Sequence, residues 1–262
     1  MPFFVGIDIG SSWTKGVLLK EGRVLARKAL STGPDFKGAG FKVLYGLLSE
    51  KDVKIEEVVG IVVTGYGRDT FPWGEKVTEL SCHAKGVSRL RPSVRTVIDV
   101  GGQDAKVLRV NHGRLLGFVM NDRCAAGTGR FLEAMARIFK VKPSKLGTLA
   151  KRARRTCVIN CTCAVFAETE VVSLLASGCP KEAVARAIIK SVCKRISSLA
   201  HGFGLEGEVA LVGGVAKIPF FKEALQEELG VELIPLPFDP RFTGALGAAL
   251  IAEEKGGGRC QR

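Results

Sequence analysis

Two aspartates separated by 91 positions are the first residues with chemistry to offer. Asp8 sits near the end of the apolar run Val5-Gly-Ile-Asp-Ile9. The small residues Gly10, Ser11 and Ser12 follow, then Trp13, Thr14, Lys15 and a second apolar run to Leu19. That order reads as strand, tight turn, strand. A turn of this kind presents backbone N–H groups and hydroxyls at its tip, which suits a phosphate. The pattern recurs without a gap: Ile7, Asp8, Gly10, Lys15, Gly22, Arg23 and Leu25 fall on Ile98, Asp99, Gly101, Lys106, Gly113, Arg114 and Leu116. One such turn is weak evidence. Two copies predict two half-sites facing across a cleft.

The amides of Gly10, Ser11 and Ser12 are candidates for one face of a triphosphate, with Trp13, Thr14 and Lys15 completing that hairpin. Those of Gly101, Gly102 and Gln103 are candidates for the other face. Asp8 and Asp99 are hard oxygen donors suited to Mg²⁺, directly or through its waters, and to orienting an attacking water. Gln103 and Asp104 are further candidates for placing the water or the metal. Hairpin alternation equally allows Lys15 and Lys106 to face solvent. Gly127, Thr128 and Gly129, at an expected helix N-terminus, form a third candidate anion cradle. Gly213 and Gly214 follow an apolar strand and would let a flat base and ribose approach the backbone, with Lys217 beside them. Any one of these alone is an ordinary turn. It is their combination in this order that points to a nucleotide.

Eight cysteines in 262 residues are many for a chain expected in the cytoplasm, where disulfides are reduced. Metal or redox use is therefore the leading functional reading. Cys179 and Cys193 read instead as small buried apolar residues. Cys82-His83 has no assigned chemistry, and His112 and His201 lack metal-ligand spacing.

These residues need elements to hold them. The pattern predicts a hairpin with a third strand over 3–29, a loop over 31–40, a helix over 41–50, a strand over 58–64 and a helix over 75–90. A second hairpin spans 94–116. A glycine-rich loop over 120–131 leads into a helix marked by Phe131, Met135 and Ile138. Helices follow at 142–151, 164–176, 181–203 and 220–229, with strands at 208–212 and 231–235 and a last helix from about 244. The fold class is α/β. A first lobe is expected over 1–92, completed by the helix 244–255. A second covers 93–243, with a flexible tail over 256–262.

No apolar run approaches the ~18–20 residues of a membrane span, and the chain opens directly into a strand, so a membrane protein is not expected. The formal charge is +13, with the densest basic cluster at Lys151-Arg-Ala-Arg-Arg155. No aromatic residues interleave it, which favours an acidic protein over nucleic acid as the partner.

The two phosphate hairpins and the later Gly-Gly turn resemble the actin, Hsp70 and sugar-kinase superfamily. A closer resemblance is to the activator ATPases of 2-hydroxyacyl-CoA dehydratases and the ATPase subunits of benzoyl-CoA reductases. It is carried by Gly6–Ser12, Thr64-Gly-Tyr-Gly-Arg68, Glu79-Leu-Ser-Cys-His83, Ile98–Asp104, Asn121-Asp-Arg-Cys-Ala-Ala-Gly-Thr-Gly-Arg-Phe131, Cys163-Ala-Val-Phe-Ala-Glu-Thr-Glu170, Gly213-Gly-Val-Ala216 and Gly244-Ala-Leu-Gly247.

The resemblance implies duplicated ribonuclease H-like (actin-like ATPase) lobes with a nucleotide cleft between them. It implies a homodimer that binds ATP/ADP with Mg²⁺, hydrolyses ATP, and shares one [4Fe-4S] cluster whose ligands are Cys124 and Cys163 of each subunit. The implied partners are a 2-hydroxyacyl-CoA dehydratase, a benzoyl-CoA-type reductase or a double-cluster reductase, with ferredoxin or flavodoxin as electron donor. Both cysteines precede expected helices, whose N-termini favour thiolates, and a twofold axis would turn two ligands into four. Cys157 and Cys161 leave open a set of four thiols from one chain. A sugar or small-molecule kinase without a cluster, and an ATP-switched scaffold, are the alternative functions. Lys217 and the segment 239–243 depart from the family pattern at the expected base site.

Overall fold

The computed structural model of the protein describes residues 2–121, 124–159 and 164–256. The strand β1 (Phe3–Ile9) is almost entirely buried, and so is β4 (Val58–Thr64). Their apolar runs are near-continuous because helices cover both faces of the sheet they share. β2 (Trp13–Lys20) and β3 (Arg23–Ser31) extend that sheet on one side, and the two-residue strand β5 (Glu75–Lys76) ends it on the other, in the order β3-β2-β1-β4-β5. β1 runs antiparallel to β2 and parallel to β4.

Strand alternation then sorts the core. Val5, Ile7 and Ile9 pack with Val43, Leu44, Leu47 and Leu48 of α1 (Phe36–Glu50). Phe4, Val17 and Leu19 face the other way, onto Cys82 of α2 (Glu79–Leu90) and Ala245, Ala248 and Ala249 of α8 (Thr243–Glu254). The α2–α8 contact is so close that a Cβ on Gly247 would lie 1.7 Å from the Cys82 carbonyl oxygen.

The second sheet repeats the first. Its strands β6 (Val94–Val100), β7 (Ala105–Asn111), β8 (Arg114–Asn121) and β9 (Glu208–Val212) lie in the order β8-β7-β6-β9, the counterpart of β3-β2-β1-β4. Register repeats too: Asp8 pairs with Lys15 across β1–β2, and Asp99 with Lys106 across β6–β7. Around this sheet stand α3 (Gly129–Ile138), α4 (Pro143–Arg152), α5 (Ala164–Ala176), α6 (Lys181–Phe203) and α7 (Phe221–Leu229). Ile98, Val100 and Val107 share a core with Phe131, Leu132 and Met135 of α3 and Ile188, Val192 and Ile196 of α6. The chain divides into two units, one built from 2–94, 110–116 and 236–256, the other from the described residues of 95–109 and 117–235. The tail beyond 256 lies outside the described residues.

Several boundaries differ from the sequence pattern for local reasons. α1 starts at Phe36, not at 41, because the Asp35 side chain caps it by accepting from the Gly38 N–H at 2.8 Å. α2 starts only after its own cap, Thr78, since Glu75 and Lys76 pair with β4. The strand expected at 231–235 reduces to one bridge, Val209 to Leu233. Cys179 is not a lone apolar residue but is joined to Cys157 by a disulfide. No helix among the described residues is long and apolar enough to cross a membrane.

The α2–α8 contact predicts a sharp asymmetry between two glycines. Gly247→Ala should lower unfolding free energy by roughly 1–3 kcal/mol or more. Gly202→Ala, on α6 with open space around it, should gain about 0.5–1 kcal/mol. Denaturant titration of the two variants checks this, and equal effects would contradict the packing described.

Candidate functional site

The first hairpin turn is built around one buried carboxylate. Lys15 Nζ donates to Asp8 Oδ2 at 2.6 Å, and Asp8 is 1 % exposed. Lys15 therefore points inward, not to solvent. Burial pushes the Asp8 carboxyl above its ordinary value, against the pull of Lys15. Its other oxygen, Oδ1, and the hydroxyl of Ser12 are buried with no hydrogen-bond partner among the described residues. An orphaned carboxylate oxygen fits a cation or its waters, and an orphaned hydroxyl fits a phosphate oxygen that accepts from it.

The turn itself is braced from behind. The Gly10 N–H donates to the Trp13 carbonyl at 3.1 Å, and Thr32 Oγ1 donates to the Gly10 carbonyl at 2.7 Å. Thr14 is fully buried with its hydroxyl 3.0 Å from that of Thr32, so its side chain supports the turn from the core. Trp13 is half exposed.

The second turn repeats these contacts. The Gly101 N–H donates to the Asp104 carbonyl at 3.0 Å. Lys106, nearly buried, lies 3.5 Å from Asp99 Oδ2 and 2.8 Å from Asp104 Oδ1. It too points inward, and Asp104 serves as its partner. Gln103 stands exposed at the tip, with Gly102 beside it. Gly213 adopts φ +91°, and a Cβ there would lie 2.5 Å from Asp99 Oδ1 and 2.4 Å from the Val100 carbonyl oxygen. Gly214 is exposed with open space above it, and Lys217 is exposed one turn on.

Gly65, in the first unit, is the counterpart that sequence reasoning left without a role. At φ +88° its Cβ would lie 2.4 Å from Asp8 Oδ1 and 2.6 Å from the Ile9 carbonyl oxygen. Only a residue without a side chain allows the chain to turn against each aspartate. The signal was present in Thr64-Gly-Tyr-Gly-Arg68, but its meaning depends on β4 pairing with β1, as β9 lies beside β6.

The loop after β8 differs from the anion cradle expected of it. The N–H groups of Gly129 and Arg130 donate to the carbonyls of Gly101 and Gly102 at 2.9 and 2.8 Å, and that of Thr128 to Ala125 at 3.0 Å. Those amides are committed within the protein. Gly129 and Arg130 thus clamp the second hairpin turn onto the start of α3. Cys124 precedes this clamp by a few residues. The Asn121 side chain holds it from both sides, donating to the Cys124 carbonyl at 3.1 Å and accepting from the Cys124 N–H at 3.2 Å.

Cys124, Cys82 and Cys193 are the free thiols among the described residues. Burial pushes the Cys82 thiol up to about 12 and raises that of Cys193 as well, so both stay protonated. Cys124 alone of the three is partly exposed. Cys157 is joined to Cys179 and so is not among these free thiols. Cys161 and Cys163 lie outside the described residues. His83 is buried with Nδ1 2.9 Å from the Thr243 hydroxyl, a link between α2 and α8.

The buried pair yields a thermodynamic prediction. Lys15→Met strands the Asp8 charge and should cost about 3–5 kcal/mol in the nucleotide-free protein. Adding Asp8→Asn should restore much of that loss. Additive losses in the denaturant-derived double-mutant cycle would show that the two side chains are not coupled.

Comparison with known proteins agrees with this geometry. The model of the BadF/BadG/BcrA/BcrD ATPase family matches residues 5–252. The 2-hydroxyisocaproyl-CoA dehydratase activator of Clostridioides difficile is 46% identical over 253 residues, covering 95% of this chain and 94% of that protein. The (R)-2-hydroxyglutaryl-CoA dehydratase activating ATPase of Acidaminococcus fermentans is 41% identical, covering 97% and 98%. The solved structure of the Clostridium difficile 2-hydroxyisocaproyl-CoA dehydratase activator with bound ADPNP superposes with a TM-score of 0.92 at 44% identity, covering 97% of this chain and 95% of that one. With its duplicated hairpin-led sheets and actin-like ATPase fold, the chain belongs to the BadF/BadG/BcrA/BcrD ATPase family.

Proposed function

We propose that this ATPase is a one-electron reductive activator. In this reading it passes a low-potential electron to a 2-hydroxyacyl-CoA dehydratase, or to a benzoyl-CoA-type or double-cluster reductase, and couples the transfer to ATP hydrolysis. The relatives named above are activators of such dehydratases, and a benzoyl-CoA reductase subunit of Thauera aromatica is 30% identical. Its setting would be the cytoplasm of an anaerobic cell, with reduced ferredoxin or flavodoxin as donor.

The observation that carries the reading is the clamp between the second phosphate turn and the cysteine loop. Gly129 and Arg130 bond to Gly101 and Gly102, and Cys124 lies just upstream on the same loop. A shift of the turn on phosphate contact therefore pulls on the backbone next to Cys124. The turn amides of Ser11, Ser12, Gly102 and Gln103 hold phosphate oxygens, while those of Gly10 and Gly101 close their own turns. Asp8 and Asp99 hold Mg²⁺ or its waters and orient the attacking water. Lys15 and Lys106 hold those carboxylates in place. Gly214 offers an open backbone surface for the base, with Lys217 at its edge.

Cys124 also fits a metal ligand: a partly exposed free thiol on a loop fixed by Asn121, near a helix N-terminus. With Cys163 and the same pair from a second subunit, four thiolates would hold one [4Fe-4S] cluster. Such a cluster supplies one-electron chemistry at low potential.

Anaerobically prepared protein should contain about four iron and four sulfide per two chains. Cys124→Ala should lose the iron yet bind ATP within about twofold of the parent protein. Iron that survives this change overturns the ligand assignment. Absence of iron from the parent protein would leave a plain ATPase. Asp8→Asn or Asp99→Asn should keep the iron and lower ATP turnover by roughly 10²–10⁴-fold.

A further inference from the structure

The chain's excess positive charge is concentrated in one short segment. From Arg130 to Arg155 there are nine Lys or Arg and a single acid, Glu133, a local excess of eight in a chain of net charge +13. All nine basic side chains are exposed: Arg130, Arg137, Lys140, Lys142, Lys145, Lys151, Arg152, Arg154 and Arg155. The segment is ordered structure. α4 buries Leu146, Gly147 and Ala150, which turns Lys145, Lys151 and Arg152 outward. A Cβ on Gly147 would lie 2.5 Å from the Pro219 carbonyl oxygen, so α4 sits tightly on its neighbours. Arg186 Nη1 donates to the Ala153 carbonyl at 3.0 Å and pins the strand of chain that carries Arg154 and Arg155.

Stability does not account for these charges. Arg137, Lys151 and Arg152 gain from the C-terminal ends of their helices, and Lys151 lies 3.5 Å from Glu223. Lys151 is the one member of the nine with an ion pair recorded among the described residues. The rest repel one another, which costs stability. The segment's two aromatic residues, Phe131 and Phe139, are buried and partly buried, so none is displayed for a base to stack on. Along the chain the charge is bracketed by the two proposed ligand cysteines: Cys124 lies six positions before Arg130, and Cys163 eight positions after Arg155.

We propose that the exposed basic face of α3, α4 and the segment through Arg155 is the docking surface for a small acidic one-electron carrier protein. The proposal deepens the activator reading and rests on it. Attraction between the two charged faces raises the encounter rate and orients the carrier toward the cysteine loops. In the step that follows, the carrier is oxidised by one electron and the activator reduced by one, with no bond broken and no proton moved.

The test compares the intact, iron-loaded protein with its Lys145→Glu/Arg154→Glu/Arg155→Glu variant. The probe is a reduced, acidic two-cluster bacterial ferredoxin. The variant should keep its iron and its carrier-free ATP turnover. Its rate of reduction at low salt should fall at least about 10-fold, and the salt dependence should flatten. A control, Lys37→Glu/Lys42→Glu/Lys51→Glu, reverses three exposed charges on α1 and at its C-terminal end and should change the rate less than about twofold. An unchanged rate in the first variant, or an equal loss in the control, overturns the proposal. Tighter binding of single-stranded DNA or of anionic lipid vesicles than of ferredoxin, lost in the variant, also overturns it. Ferredoxin binding read by calorimetry separates the two levels. Iron-free protein that still binds ferredoxin through this face retains the docking surface and refutes the activator reading. Iron-loaded protein that does not bind refutes the docking surface alone.

Discussion

A carboxylate held out of water by a lysine across a hairpin is the interaction on which the rest of this protein depends. Asp8 and Lys15 face each other on β1 and β2, and Asp99 and Lys106 do so on β6 and β7. Charge at such depth is costly, and the paired ammonium offsets only part of that cost. Asp8 shows the imbalance: its carboxyl is raised by burial despite the lysine, and Oδ1 is left without a partner. A site with no other purpose than stability would bury apolar groups there. Keeping a half-satisfied carboxylate makes sense where a cation and a polyphosphate complete it.

Much of the surrounding architecture keeps these aspartates in place. Gly65 and Gly213 turn the chain directly against the Oδ1 atoms, and no side chain could share that space. In the first unit the sheet is stiffened from both faces, by α1 on one and by α2 and α8 on the other. In the second, the turn at Gly101 is fastened to α3. That fastening makes the two turns unequal. The first turn is braced by Thr14 and Thr32. The second is braced by the loop that carries Cys124. The two turns are thus braced by different contacts, and the brace of the second belongs to a loop that carries a thiol.

Much of this was legible in the sequence. The duplication was visible because two hairpins must repeat the same register to place an aspartate opposite a lysine, and register is written in residue spacing. Helices such as 181–203 were legible because an apolar stripe repeats at 3.6 residues. The start of α1 was not, because Gly38 and Gly40 obscure the pattern while the cap at Asp35 initiates the helix. The inward turn of Lys15 and Lys106 was not either, because alternation along a hairpin names two faces without saying which is covered.

The sequence by itself determined the local chemistry: which residues could hold phosphate, which could ligate a metal, and that the motif occurs twice. Such properties depend on residue type and short-range spacing. Only the tertiary structure decided which groups are left over. The orphaned oxygen of Asp8, the committed amides of Thr128, Gly129 and Arg130, and the pairing of Cys157 with Cys179 all depend on contacts between segments far apart in the chain. Whether a polar group is free to bind something else depends on what folding has placed beside it, and spacing along the chain carries no record of that.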